Sequence, residues 1–299
     1  MLWTDFRAEL IETRETRVFV RRSGSAGPPV VLLHGFPETH LMWRGVAPLL
    51  ARDFTVVCAD LRGYGASGCP PSAPDHAPYS KRAMAQDVVE VMRHLGFPRF
   101  SIVGHDRGAR VAYRLALDHP ESVDRLAVLD IVPTADVWSR ADDRFALGYW
   151  PWSLLAQREP LPERLIAAAP SAIVDDAFAN WGSSANAFDP EIRAAYVAAL
   201  RDPDHAHAIC EEYRAASAID REHDEADRSA GRRIKAPVHV LWSNRGALHD
   251  WYAEDGGPLA LWREWADTVD GKSVDAGHFF PEESPDQIAD ALASFLIVR

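Results

Sequence analysis

A doubly wound, mostly parallel α/β sheet with an inserted all-helical segment is the fold class this sequence predicts, on three observations. Five short apolar runs, starting at Pro29, Thr55, Arg99, Arg125 and Pro237, read as strands buried on both faces of a sheet. Helical patterns separate the first four of them, the alternation that builds parallel sheets. Then, from about Trp138 to Arg232, no such run occurs for nearly a hundred residues.

Each element follows from its own residues. Residues 7–22 alternate in the manner of an opening hairpin, and residues 29–34 form the first continuous apolar run. Helical spacing is predicted over roughly 41–51, 80–95 and 107–118, with strands at 55–60, 99–104 and 125–130 between and after them. The long segment that follows reads as short helices broken by Pro151, Pro160, Pro162, Pro170, Pro190 and Pro203, because proline lacks the N–H that a helix interior needs. Strand rhythm resumes at 237–242, and a last helix is expected at about 285–296. This gives a core of 1–137 and 233–299 with a helical cap of 138–232. Ligands of open α/β sheets bind at the carboxyl ends of the strands, so the cap is expected to close a site there.

The composition narrows the function classes. The 299 residues carry a formal charge of −12, which argues against nucleic acid or an anionic membrane as partner. With 47% apolar and 10% aromatic residues the chain can bury a sizeable core. Its N-terminus lacks an apolar signal-type stretch, no run reaches membrane-spanning length, and no internal repeat is evident. Cys58, Cys69 and Cys210 are odd in number and have no metal-type spacing, which reads as reduced thiols in the cytoplasm. An acidic protein that takes an anionic substrate would need its own local positive charge.

The chemistry centres on Gly104-His105-Asp106-Arg107-Gly108. A G-x-nucleophile-x-G stretch between strand and helix marks a nucleophile elbow, a strained turn that raises one side chain above the sheet. The glycines leave room where a Cβ would clash. Aspartate in place of serine cannot run ordinary acyl transfer, but it can attack an sp3 carbon and form an alkyl ester that must then be hydrolysed. That suits carbon–halogen bonds and epoxides. Asp130 at the end of the 125–129 run and His278 before the last helix complete the order nucleophile, acid, histidine found in α/β-hydrolases. In this reading His278 activates water and Asp130 orients the imidazole. The backbone N–H groups of Phe36 and Arg107 would meet the oxyanion. The plain alternatives are an aspartate that only caps a helix and a histidine that is only solvated. Asp250 is the competing acid, disfavoured because Ser243-Asn244-Arg245-Gly246 directly after its strand holds no carboxylate.

Arg107, Arg110 and Arg114 fall at i, i+3 and i+7, one face of the helix that leaves the elbow. Arg107 and Arg110 lie in its first turn, where planar bidentate donors match a carboxylate. The competing reading is that both pair with structural acids from the cap. Arg114, a turn deeper, reads as structural. His205 and His207, two residues apart, point to different faces and read as surface. No metal or organic cofactor is expected.

Taken together, His34-Gly-Phe-Pro, Asp60-Leu-Arg-Gly-Tyr-Gly-Ala-Ser, Asp106-Arg107-Gly-Ala-Arg110, Leu129-Asp130-Ile, Cys210-Glu-Glu-Tyr213-Arg and Gly277-His278-Phe resemble the fluoroacetate (haloacetate) dehalogenases. The first two motifs are shared with epoxide hydrolases; the Asp-Arg-Gly-Ala-Arg run and the cap motifs are more specific. The resemblance covers nearly the whole chain and implies an α/β-hydrolase fold. It implies Asp106 as nucleophile, Asp130 and His278 as its partners, and Arg107 and Arg110 as a carboxylate clamp. It also implies Trp152 and Tyr213 as halide donors, whose bland reading is cap packing, and a homodimer. The family's halide-binding histidine is absent: Pro151 stands there and brings no donor, leaving Trp150 or a water as substitutes.

The activity this predicts is hydrolytic dehalogenation of a small haloacid, fluoroacetate or chloroacetate to glycolate and halide. The first rival is an epoxide hydrolase, whose neutral substrate would give the paired arginines nothing to bind. Haloalkane dehalogenases resemble this chain with tryptophan where Arg107 stands. A non-catalytic ligand receptor on the same fold is the remote alternative.

Overall fold

The computed structural model describes residues 3, 5–24, 26–183 and 188–297, so the outer limits of the predicted division, residues 1 and 299, lie outside it. Eight strands form one sheet: β1 (Phe6–Glu12), β2 (Arg17–Ser23), β3 (Pro29–Leu33), β4 (Thr55–Ala59), β5 (Phe100–His105), β6 (Val123–Leu129), β7 (Val238–Ser243) and β8 (Val269–Val274). Their order is β1-β2-β4-β3-β5-β6-β7-β8. β1 and β2 form the antiparallel hairpin, β2 joins β4 antiparallel, and every later pairing is parallel. The five apolar runs are thus the interior of the sheet. β8 was not anticipated. Its residues Val-Asp-Gly-Lys-Ser-Val lie at the edge and only Val274 is buried, so no apolar run announces it.

Three helices precede the insertion: α1 (Ala47–Leu50), α2 (Lys81–His94) and α3 (Asp106–Asp118). The single helix expected over 41–51 divides into a 3-10 turn at His40–Arg44 and α1. Pro48 cannot donate to the carbonyl of residue 44 but suits the first turn of a new helix, which is where it sits.

Between β6 and β7 lie α4 (Thr134–Ser139), α5 (Asp143–Gly148), α6 (Trp150–Leu155), α7 (Leu161–Ala168), α8 (Pro170–Asn180), α9 (Pro190–Arg201), α10 (Pro203–Ser217) and α11 (Ile219–Ser229). Pro151, Pro162, Pro170, Pro190 and Pro203 each fall at the first or second position of a helix. The same missing N–H that stops one helix begins the next at no expense in hydrogen bonds. After β7 come α12 (Ala247–Trp251), α13 (Gly257–Trp265), α14 (Phe280–Glu283) and α15 (Pro285–Leu296), of which only α15 was read from the sequence.

Side chains of β3, β5 and β6 fill two apolar clusters on opposite faces of the sheet. Helix α3 is buried from Arg107 to Leu117. Its arginines must therefore find their partners inside the protein. Among the described residues no helix is long and apolar enough to cross a membrane.

Candidate active site

The elbow is built as its glycines require. Asp106 opens α3 with φ 44°, a left-handed conformation that strains any residue with a Cβ. A Cβ at Gly104 would stand 2.4 Å from the Gly108 carbonyl, and one at Gly108 would stand 2.4 Å from that of His34. The chain can turn this tightly only because both positions are bare. Phe36 donates its N–H to Asp106 Oδ1 at 3.0 Å, so one carboxylate oxygen is held and the other is left for chemistry.

His278 Nδ1 lies 2.5 Å from Asp130 Oδ2, and Ser243 N–H donates to Asp130 Oδ1 at 2.8 Å. Asp130 leaves the end of β6 with φ 56°, which turns its side chain toward the histidine. The His278 backbone is fixed as well, its N–H donating to Trp181 O at 2.9 Å. Its Nε2 is buried without a hydrogen-bond partner. Asp250 is exposed on α12 and has no bond to His278. Burial alone would raise the Asp106 pKa. The imidazole of His278 and the guanidinium of Arg107 outweigh it, with His105 and Arg110 adding to them, and hold the carboxyl below its ordinary value.

The three arginines of α3 part company. Arg114 is saturated: Nη2 meets Asp224 at 2.6 Å, and Nη1 meets Asp227 at 2.5 Å and Asp118 at 3.3 Å. Arg107 has one partner acid, Glu212 of α10, at 2.7 Å from its Nε, and its Nη1 is buried without a partner. Arg110 has only neutral acceptors, Val132 O at 3.0 Å and Thr134 Oγ1 at 3.1 Å, with its Nε unpartnered. Among the described residues no carboxylate forms an ion pair with Arg110. Burial and the neighbouring Arg107 pull its pKa below the usual guanidinium value. The reading that both first-turn arginines serve cap acids thus holds for Arg107 and not for Arg110.

Glu212 is the residue sequence reasoning passed over. Besides Arg107 it takes the Lys81 ammonium and the Tyr64 hydroxyl, the latter at 2.5 Å; Arg107 and Lys81, helped by the Tyr64 hydrogen bond, hold its pKa down to about 2 against the effect of burial. The quoted motif contains Glu211 and Glu212, but nothing in it says which turns inward. Glu211 faces the other way, to His76 and Arg214.

A small cavity of about 10 Å³ opens over Asp106, lined by Asp106, Tyr149, Pro151, Trp152, Trp181, Tyr213 and His278. The guanidinium groups are not part of its wall but lie behind it. Trp152 stacks 4.4 Å from Arg110 and 5.1 Å from Arg107, and Tyr213 stacks 4.1 Å from Arg107. Burial pushes the Tyr213 pKa well up, so its phenol remains a donor. Trp150 is engaged elsewhere, its indole N–H donating to Asp176 at 2.6 Å, and Pro151 stands bare on the cavity wall. His205 and His207 are half-buried and lie away from this cavity, with His207 facing Glu163 at 3.5 Å.

The chain is similar to known proteins along most of its length. A family model described as the alpha/beta hydrolase fold matches residues 28–285. A fluoroacetate dehalogenase from Burkholderia sp is 46% identical over 274 residues, 91% of this chain and 88% of that one. A soluble epoxide hydrolase from Corynebacterium sp. (strain C12) is 31% identical over 91% of each chain. A solved structure from Nostoc sp PCC 7120, assigned to the α/β hydrolases, superposes with a TM-score of 0.95 at 47% identity, over 99% of this chain and all of that one.

Proposed function

The chain belongs to the α/β-hydrolase fold family and, within it, to the haloacetate dehalogenases, and from that premise we propose a two-step hydrolysis of haloacetates to glycolate and halide. In the first step the unbound oxygen of Asp106 attacks the halomethyl carbon, and the carbon–halogen bond breaks with its electron pair leaving on the halide. In the second, His278 Nε2 removes a proton from water as the water oxygen bonds to Asp106 Cγ. The Cγ–O bond to the alkyl group then breaks, and glycolate leaves. Asp130 keeps the imidazole in the tautomer whose Nε2 accepts. The N–H groups of Phe36 and Arg107 receive the charge that builds on the ester oxygen.

The observation that carries this reading is Arg110, a buried cation without an acid partner beside a carboxylate nucleophile. Leaving such a charge uncompensated costs several kcal/mol unless a ligand supplies the counter-ion. A haloacid does; a neutral epoxide does not. The substrate carboxylate is taken by the unpartnered N–H groups of Arg107 and Arg110. The indole and phenol of those two residues face the departing halide. Residues 138–232 act as a cap over the core of 1–137 and 233–299; the Arg107–Glu212 and His278–Trp181 bonds across that seam support the division. Three unpaired cysteines support a reducing, cytoplasmic setting.

The test is product release from fluoroacetate, chloroacetate, chloroacetamide and an aryl epoxide side by side. Halide is expected from the two acids and not from the amide. Diol from the epoxide with no halide from either acid would overturn the reading.

A further inference from the structure

Glu38 follows the His34-Gly-Phe-Pro run and is fully buried beneath the elbow. Neither of its oxygens has a hydrogen-bond donor, unless the adjacent Glu282 carries a proton for the two to share. The cations around it are committed elsewhere. Arg44 pairs with Glu282, and His105, whose Nδ1 is 3.3 Å from Glu38 Oε2, is pulled toward its neutral form by burial. His105 in turn donates from Nε2 to His278 O at 2.9 Å, and the two imidazole rings lie 4.6 Å apart. Glu38, His105 and His278 therefore form one layer behind Asp106. In that layer, apart from the Glu38–Glu282 and Glu38–His105 contacts, Glu38 Oε1 and Oε2, His105 Nδ1 and His278 Nε2 make no hydrogen bond.

A glutamate of purely structural use would keep a partner, since an apolar side chain of its size fills a buried site at less cost. Burial pushes the Glu38 pKa up to about 7 against the pull of the Glu282 hydrogen bond, and of the two groups in front of it His278 draws it down while Asp106 pushes it up. A water that attacks Asp106 Cγ must give one hydrogen to His278 Nε2 and point the other somewhere. We propose that an oxygen of Glu38 accepts that second hydrogen and so orients the hydrolytic water. Glu38 gains no proton in the step. The first proton goes to His278 and returns to the leaving glycolate oxygen. The proton left on the regenerated Asp106 carboxyl passes to His278 and then to solvent. The inference rests on the roles given to Asp106 and His278 above.

The experiment compares Glu38→Met, which keeps the bulk and removes the acceptor, with Glu38→Gln, which restores an acceptor without charge. With chloroacetate both should give a rapid burst of one chloride per site. Steady-state turnover in Glu38→Met should then fall by about tenfold, roughly the worth of one hydrogen bond, with KM little changed. Glu38→Gln should stay within about threefold of the parent, since its amide oxygen still accepts. Undiminished turnover in Glu38→Met would overturn the proposal, as would an equal loss in both variants or a loss of the burst itself. If Glu38→Met does not fold, Glu38→Ala carries the same comparison. Failure of His278→Asn to accumulate a carboxymethyl ester on Asp106 after exposure to chloroacetate would instead refute the two-step reaction, a separate failure.

Discussion

Arg114 and Arg110 sit one turn apart on the same helix, both buried, in two regions that treat a guanidinium in opposite ways. At the deep end, where α3 meets α11, Arg114 is surrounded by Asp118, Asp224 and Asp227. At the elbow end Arg110 has two neutral oxygens and the face of Trp152. The first region is complete as it stands, and its charges serve the seam between core and insertion. The second is short of one negative charge, the one that the proposed function assigns to the substrate carboxylate. An arginine's function is thus read from its counter-ion rather than from its burial.

This contrast can be broken by the same substitution made at each end. Arg114→Met should lower folding stability by about 3–5 kcal/mol, because it removes the guanidinium that neutralises buried Asp224 and one of the two that neutralise buried Asp227, and leave the kinetics of the folded fraction unchanged. Chemical denaturation and kcat/KM measured together check this. Arg110→Met should do the reverse. Its thermal midpoint should hold or rise, while kcat/KM for chloroacetate falls about a hundredfold through loss of the carboxylate's partner. If both variants lose stability and neither loses affinity, the two regions are not distinct.

Two further variants sharpen the leaving-group side of the elbow region. Trp152→Phe keeps the ring over the guanidiniums but removes the indole N–H. It should slow halide release by about tenfold, more for fluoroacetate than chloroacetate, because fluoride depends most on donors aimed at its developing charge. Pro151→His should give the smallest change, a modest rise in the fluoride-to-chloride rate ratio. An unchanged ratio in both would leave these positions as packing. Halide-selective electrode traces of the two acids are sufficient for either.

The sequence exposed the sheet interior and the elbow because both write themselves locally. Apolar runs mark buried strands, and Gly104 and Gly108 mark the turn around Asp106. Asp130 was legible from its place at the end of such a run. β8 was not, since an edge strand with one buried residue carries no apolar signal. Glu212 and Glu38 were missed for another reason. Each is a common surface residue type, and only tertiary packing reveals that one holds Arg107 and the other lies buried behind Asp106. Arg107 and Arg110 looked alike in the sequence; their difference rests on an α10 residue more than a hundred positions away.

Mass analysis of His278→Asn after exposure to chloroacetate addresses the covalent step most directly, since removal of the base leaves the first reaction intact and stalls the second. The peptide containing Asp106 should carry one carboxymethyl group, with one chloride released per site. Continued turnover without that adduct, or the group on any other residue, would contradict a carboxylate ester at the elbow.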